Sequence, residues 1–225
     1  DLLARVDTDY AVFVADDDFI APRALEAAVA FLDDHPDYSA VHGAAALVVL
    51  QDGPSGGVLG SEPYLQRTID QPTASQRLRS HLLRYTPTEY SVKRTAEVAA
   101  HWQATRSLGL VDQLLGELVR SCLGIIEGKT HRLDQLYMVR RAHRQMASTR
   151  SRDIFDAMFG PGWAQQHARI QECLAQALAR QDRVSLPEAQ AVVKEILWAY
   201  WAGGLKQGWE ERYGQRPVPW RRRLR

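Results

Sequence analysis

Cysteine is nearly absent from this chain. There are two residues, Cys122 and Cys173, in 225. Neither stands at a metal-ligand spacing, and two thiols cannot make a disulfide framework, so the chain reads as one for a reducing, cytoplasmic compartment. Both fall in apolar helical patterns and are expected in the core. Excess charge is also missing: 28 Lys and Arg against 27 Asp and Glu leave a formal net charge of +1. That argues against a basic nucleic-acid-binding protein, and the short tail Arg221-Arg222-Arg223-Leu224-Arg225 reads as a frayed terminus. No apolar run is long enough for a membrane span, and no signal peptide is visible. What is abundant is apolar residues, 45% of the total, enough for one sizeable α/β core with a helical extension.

One stretch stands out, Tyr10-Ala11-Val12-Phe13-Val14-Ala15-Asp16-Asp17-Asp18-Phe19-Ile20. The run Ala11–Ala15 predicts a buried strand. It stops at three carboxylates, and Ala21-Pro22-Arg23 then opens a helix with Pro at an early position. In an open α/β sheet such a turn lies at the carboxyl end of a strand, where ligands bind. Adjacent carboxylates repel one another unless a cation is present, and a hard divalent ion would accept their oxygens. The alternative is one Asp capping the helix while the others are solvated.

Along the chain, Ala24, Leu25, Ala28, Val29, Phe31 and Leu32 recur at helical spacing up to His35-Pro36, and Tyr38–Leu50 is β-rich. Strand, helix and strand make a βαβ-like unit. A turn cluster, Asp52-Gly53-Pro54-Ser55-Gly56-Gly57, lies within 51–60 and reads either as a mobile loop near the site or as a plain surface hairpin. Residues 73–85 predict a helix with an Arg-rich face (Arg77, Arg79, Arg84). Tyr90-Ser91-Val92 reads as a short strand, and Arg94-Thr95-Ala96-Glu97 as another helix start. Val111–Ile126 is the clearest amphipathic helix. Its buried stripe is Val111, Leu114, Leu115, Leu118, Val119, Cys122, Leu123 and Ile126, with Gln113, Glu117, Arg120 and Gly124 opposite; Gly128 reads as its C-terminal cap. Leu133–Arg141 is strand-like. Beyond the polar stretch 148–152 the pattern turns helical from about Ser151 to Tyr213, where Trp198, Trp201 and Trp209 suggest packing. The expected division is an α/β domain over 1–147 and a helical extension over 148–225.

Taken together, Thr8-Asp9-Tyr10 through Asp16-Asp17-Asp18-Phe19-Ile20, followed by His35-Pro36-Asp37-Tyr38, resemble the Asp-x-Asp region of GT-A-fold glycosyltransferases. The nearer likeness is to a bacterial group with an Asp-Asp-Asp-Phe signature. Tyr90–Thr95, Gly116-Glu117-Leu118 with Gly128-Lys129, and Leu136–Arg140 are similar to later blocks of that group. The resemblance runs from about Asp9 to His143.

It implies a GT-A-like, Rossmann-like mixed sheet with flanking helices. The family's opening strand and loop, which hold the nucleotide base, have no counterpart before Asp1, so the chain is expected to lack part of its N-terminal nucleotide-binding segment. The implied activity is transfer of a sugar from a nucleotide-sugar donor to an acceptor hydroxyl, with inversion. Asp16 and Asp18, with His143 as a third ligand, would hold Mn²⁺ or Mg²⁺ against the donor diphosphate. Asp16 and Asp17, with Lys129, Arg140 and Arg141, would contact donor or phosphate; a solvated basic face is the alternative for the three cations. Glu117 is the candidate base, with an ordinary surface pair to Arg120 as its alternative. Asp112 is the second candidate base, with an N-cap as its alternative. Two other readings stand beside this one: a non-catalytic nucleotide-sugar-binding or assembly module, and a Mg²⁺ site for phosphoryl transfer, for which no nucleophilic Asp pattern is present.

Overall fold

The structure is a computed structural model, and it describes residues 3–50, 57–142 and 154–213. A 3₁₀ turn at Leu3–Arg5 leads into β1 (Tyr10–Ala11) and β2 (Phe19–Ile20). Then come α1 (Pro22–Asp34), β3 (Tyr38–Leu50), β4 (Val58–Tyr64), α2 (Ala74–Leu83), β5 (Val92–Arg94), α3 (Thr95–Ser107), α4 (Gln113–Glu127) and β6 (Lys129–Ala142). Three helices follow: α5 (Ile154–Phe159), α6 (Trp163–Asp182) and α7 (Leu186–Tyr213). No described helix is long and apolar enough to cross a membrane.

The sheet is mixed. Its strands run in the order β1-β5-β3-β6-β2, and β4 also pairs with β3. Only β3 and β6 are parallel, from Tyr38↔Lys129 to Val49↔Ala142; the other pairs are antiparallel. Ser39, Ala40, Val41 and His42 are all buried in β3, as a central strand requires.

The acidic stretch departs from its sequence pattern. The expected strand over Ala11–Ala15 shrinks to Tyr10–Ala11, which pairs with β5 at one edge of the sheet. Residues 12–18 then cross to the opposite edge, where Phe19–Ile20 pairs with β6. Val14 is exposed. An apolar run without ladder partners on either side does not hold as a strand. β4 was unread in the sequence because Gly60, Ser61, Glu62 and Pro63 are poor strand formers; it forms as the return arm of a hairpin on β3.

The helices follow their local chemistry. Pro22 stands at the first turn of α1. Thr73 and Gln76 form a capping box on α2. The carboxylate of Asp182, at the end of α6, accepts from the N–H groups of Ala74 (2.7 Å) and Ser75 (3.0 Å), adding a charge at the positive end of α2. Arg77 is buried rather than displayed. It donates to the carbonyls of Ile125 (2.9 Å) and Ile126 (2.6 Å) at the end of α4, and to Gln71 and Pro72. Val111 leaves the stripe expected of it and is exposed, because α4 starts two residues later. Gly124 is buried, its carbonyl accepting from Ser39. Gly128 is required by proximity: a Cβ there would stand 2.7 Å from the Cβ of Ser39 and 2.8 Å from its N.

Two cores result. One joins Ala24, Ala28 and Leu32 of α1 to Val41, Val92, Tyr137 and Met138 of the sheet. The larger joins α2 and α4 to α6 and α7, with Leu78, Val119, Cys122, Leu174, Leu197 and Trp201 fully enclosed. Trp201 is the buried member of the expected tryptophan set; Trp198 and Trp209 are about half exposed. The polar stretch 148–152 lies outside the described residues.

Candidate functional site

Strand register builds the site. β2 meets β6 through Phe19↔Val139 and Ile20↔Met138, so one step further Asp18 faces Arg140. The two side chains pair: Arg140 Nε donates to Asp18 Oδ2 at 3.0 Å, and the N–H of Arg141 donates to Oδ1 at 3.1 Å. Asp18 is 8% exposed. A second register fact brings in tyrosine. Tyr64 of β4 faces Ala45 on β3, while Arg140 faces Leu47, so the small Ala45 leaves room for the two side chains to approach. The Arg140 guanidinium carbon lies 4.9 Å from the Tyr64 ring centroid and 4.3 Å from that of Tyr90, and Nη2 donates to the Tyr90 hydroxyl at 2.9 Å. The Tyr64 hydroxyl is buried and forms no hydrogen bond among the described residues. Burial raises the pKa of both tyrosines, opposed by the Arg140 charge.

From this pair the cluster extends to α4. Glu117 is half-buried and accepts from the Tyr85 hydroxyl at 3.4 Å. Its pKa is raised, first by burial and then by the charge of Glu89; Arg120, the Tyr85 hydrogen bond and Arg140 pull the other way. Arg120 does not pair with Glu117. Its Nε donates to Glu89 Oε1 at 2.8 Å, and its guanidinium lies 3.8 Å from the Trp102 ring centroid, with Phe13 of the crossing segment beyond that ring. Lys93 of β5 completes the set. It is buried, which lowers its pKa, and the charges of Glu89, Glu97 and Glu117 oppose that shift. Three cations, Arg120, Arg140 and Lys93, thus alternate with three carboxylates, Asp18, Glu89 and Glu117, in a region of reduced dielectric where each strongly influences the next.

Not every sequence candidate joins this cluster. Asp16 is exposed and Asp17 half-buried on the turn before Asp18. Asp112 is the N-cap of α4, its carboxylate accepting from the N–H of Leu114 at 2.8 Å, which is its structural alternative. Lys129 opens β6 and pairs with Asp37 at 2.7 Å. Arg140 lies opposite Leu47, nine residues along β3 from Tyr38, the partner of Lys129, which is roughly 30 Å of strand, so Lys129 cannot serve the same ligand group. His143 lies outside the described residues.

The donor set for a divalent ion is incomplete. Both oxygens of Asp18 are engaged, and among the described residues no three His, Cys, Asp or Glu side chains gather around a common point. Asp16 and Asp18 are the expected ligands that are described, and the third, His143, lies outside the described residues.

Lys93, Tyr64 and Glu89, the true partner of Arg120, escaped the sequence. Glu89 follows Thr86-Pro87-Thr88, in a segment that reads only as a helix break. One faint signal existed: a charged Lys93 beside Val92 in a strand destined for the sheet interior calls for buried counter-charges nearby.

The fold and site together define a mixed α/β protein with a buried charge cluster beneath an acidic crossing segment. No protein-family model and no curated protein matches the chain. Among solved structures, it is similar to the crystal structure of S. aureus TarS 1–349, with a TM-score of 0.46 and 15% identity over 94% of this chain and 52% of that one. A crystal structure of S. aureus TarS gives a TM-score of 0.45 and 14% identity, over 94% of this chain and 32% of that one. The chain therefore spans about half the length of the first and a third of the second.

Proposed function

We propose that the chain is a glycosyltransferase catalytic region that moves a sugar from a nucleotide-sugar donor to an acceptor hydroxyl with inversion. One observation carries the reading. Arg140 is the direct partner of Asp18 and an electrostatic neighbour of Glu117, so the acidic turn and the candidate base belong to one cluster.

In this mechanism the acceptor oxygen attacks the anomeric carbon as the glycosyl–phosphate bond breaks. The bonding pair leaves with the nucleoside diphosphate, and the acceptor proton passes to the Glu117 carboxylate. A base needs affinity for the proton and must still be ionised at the start. Burial and Glu89 raise that affinity; Arg120, Arg140 and the Tyr85 hydroxyl preserve the ionised form. Asp16 is exposed on the turn, open to an approaching donor.

The test is a screen of UDP-, GDP- and CDP-sugars with the full chain, with and without Mn²⁺, reading nucleoside diphosphate release and donor binding by calorimetry. Glu117→Gln should bind donor with unchanged affinity and transfer it on the order of a hundredfold more slowly. Donor binding without turnover would favour the binding-module alternative, and no binding of any nucleotide sugar would end the reading. Turnover that requires Mn²⁺ would support the metal-dependent form of the reading.

A further inference from the structure

We propose that Glu89 is a positioning residue of this site: its carboxylate, held by Arg120 one turn along α4 from Glu117, keeps Glu117 fit to act as the base; this rests on the reading of Glu117 as the base.

The geometry holds Glu89 to α4 at two successive points. Its Oε1 receives Arg120 Nε at 2.8 Å, and the preceding residue, Thr88, donates to Ser121 Oγ through its N–H (3.3 Å) and its hydroxyl (3.2 Å). Arg120 and Ser121 are three and four residues beyond Glu117, so all three lie on the same stretch of helix surface. The 86–90 segment therefore lies along the face from which Glu117 projects. Gly116 leaves space for the arginine that secures Glu89: a Cβ there would stand 3.2 Å from Arg120 Nη1, tight enough that the guanidinium would shift by a few tenths of an ångström.

Glu89 is poorly placed to do anything but exert charge. Its side chain is 13% exposed, and Oε2 is buried with no hydrogen-bond partner among the described residues. A buried carboxylate with an idle oxygen is costly to keep. A neutral amide at that position would keep the hydrogen bond from Arg120 and lose the counter-charge. What an ionised Glu89 adds is a second negative charge beside Glu117, and this raises the affinity of Glu117 for a proton. The other groups acting on Glu117 are Arg120 on its own helix, the Tyr85 hydroxyl after α2, and Arg140 on β6. Glu117 in turn acts on Tyr64 of β4, Tyr90, Lys93 of β5 and Tyr200 of α7. Of these groups Glu89 is the one carboxylate that Arg120 holds in place.

The experiment follows the carboxyl carbon of Glu117 by ¹³C NMR through a pH titration of the full chain, which requires neither donor nor acceptor. In the wild type its midpoint should stand above the ordinary carboxylate range. In Glu89→Gln, which keeps size and the contact to Arg120, the midpoint should move down. Glu89→Asp, whose carboxylate is withdrawn by one methylene, should move the midpoint down by less. A midpoint unchanged by Glu89→Gln in a folded protein would overturn the proposal. If Glu89→Gln does not fold, Glu89→Asp decides: the withdrawn charge should lower the midpoint, and an unchanged midpoint refutes it. Because the readout is titration rather than turnover, failure here leaves the transferase reading standing. Conversely, a shifted midpoint with no loss of transfer in Glu117→Gln would remove Glu117 as base while leaving the Glu89 coupling intact.

Discussion

The most exposed physical commitment of this fold is His81. It lies on α2 at 0% exposure, between the sheet side and the helical core, and neither ring nitrogen has a hydrogen-bond partner among the described residues. Burial, with a smaller contribution from the charges of Arg67 and Lys93, pushes its pKa down to about 3, from an ordinary value near 6.5. The folded value lies below the unfolded one, so the native state's advantage is complete above pH 6.5 and is lost as pH falls toward 3. In that window the unfolded chain binds a proton that the folded chain refuses. Each pH unit therefore removes about 1.4 kcal/mol of stability through this one ring. His81→Leu deletes that loss. It also deletes an unsatisfied buried N–H, worth about 1 to 3 kcal/mol, so the variant should be no less stable than the wild type at pH 7. Urea unfolding followed by tryptophan fluorescence at pH 7, 6, 5 and 4.5 would measure this. The gap between variant and wild type should widen by about 1.4 kcal/mol per unit below pH 6.5. His42 on β3, also buried and also lowered to about 3, contributes the same slope to both proteins and cancels, as do the carboxylates. Stability lines that run parallel with pH would refute the reasoning.

Arg77→Met should cost at least about 3 kcal/mol in urea unfolding, because four backbone carbonyls, two of them at the end of α4, lose a charged donor. Gly128→Ala should cost about 1 to 3 kcal/mol, since the new methyl meets backbone of Ser39 rather than the end of a flexible side chain. That is a fall in Tm of roughly 2 to 4 °C per kcal/mol by calorimetry, and an unchanged Tm would mean the β3–β6 start yields more easily than its packing implies.

Elements defined by periodicity were legible. Pro22 and the spacing of Ala24, Ala28 and Leu32 mark α1, the run at 38–50 marks β3, and the apolar stripe of α4 needed only its first turn corrected. The crossing segment misled because an apolar run such as Ala11–Ala15 does not state whether ladder partners exist on both sides. Asp18 was legible as a functional candidate and its partner was not: an acidic cluster carries the same signal whether a metal ion or a guanidinium neutralises it. Arg140 was among the candidate cations, yet only the register of β2 against β6 assigns it to Asp18. Arg120 illustrates the same limit. Spacing of three along a helix makes it a neighbour of Glu117, and a residue thirty-one positions away takes its hydrogen bond instead.

The Asp182 carboxylate has a bearing on synthesis. It closes the first turn of α2 from 108 residues downstream of Ala74. At a translation rate of about 5 to 20 residues per second, α2 emerges roughly 5 to 20 s before the group that completes its start. During that interval the apolar face of α2 that will meet α6 and α7 is also without those partners; until α4 is made the local Thr73–Gln76 box steadies the helix, and afterwards so do the Arg77 bonds to Ile125 and Ile126. Premature arrest anywhere between α2 and the end of α6 would therefore release a nascent chain with a sticky, half-capped helix. The start of α2 is completed only once residue 182 has been made and α6 has docked.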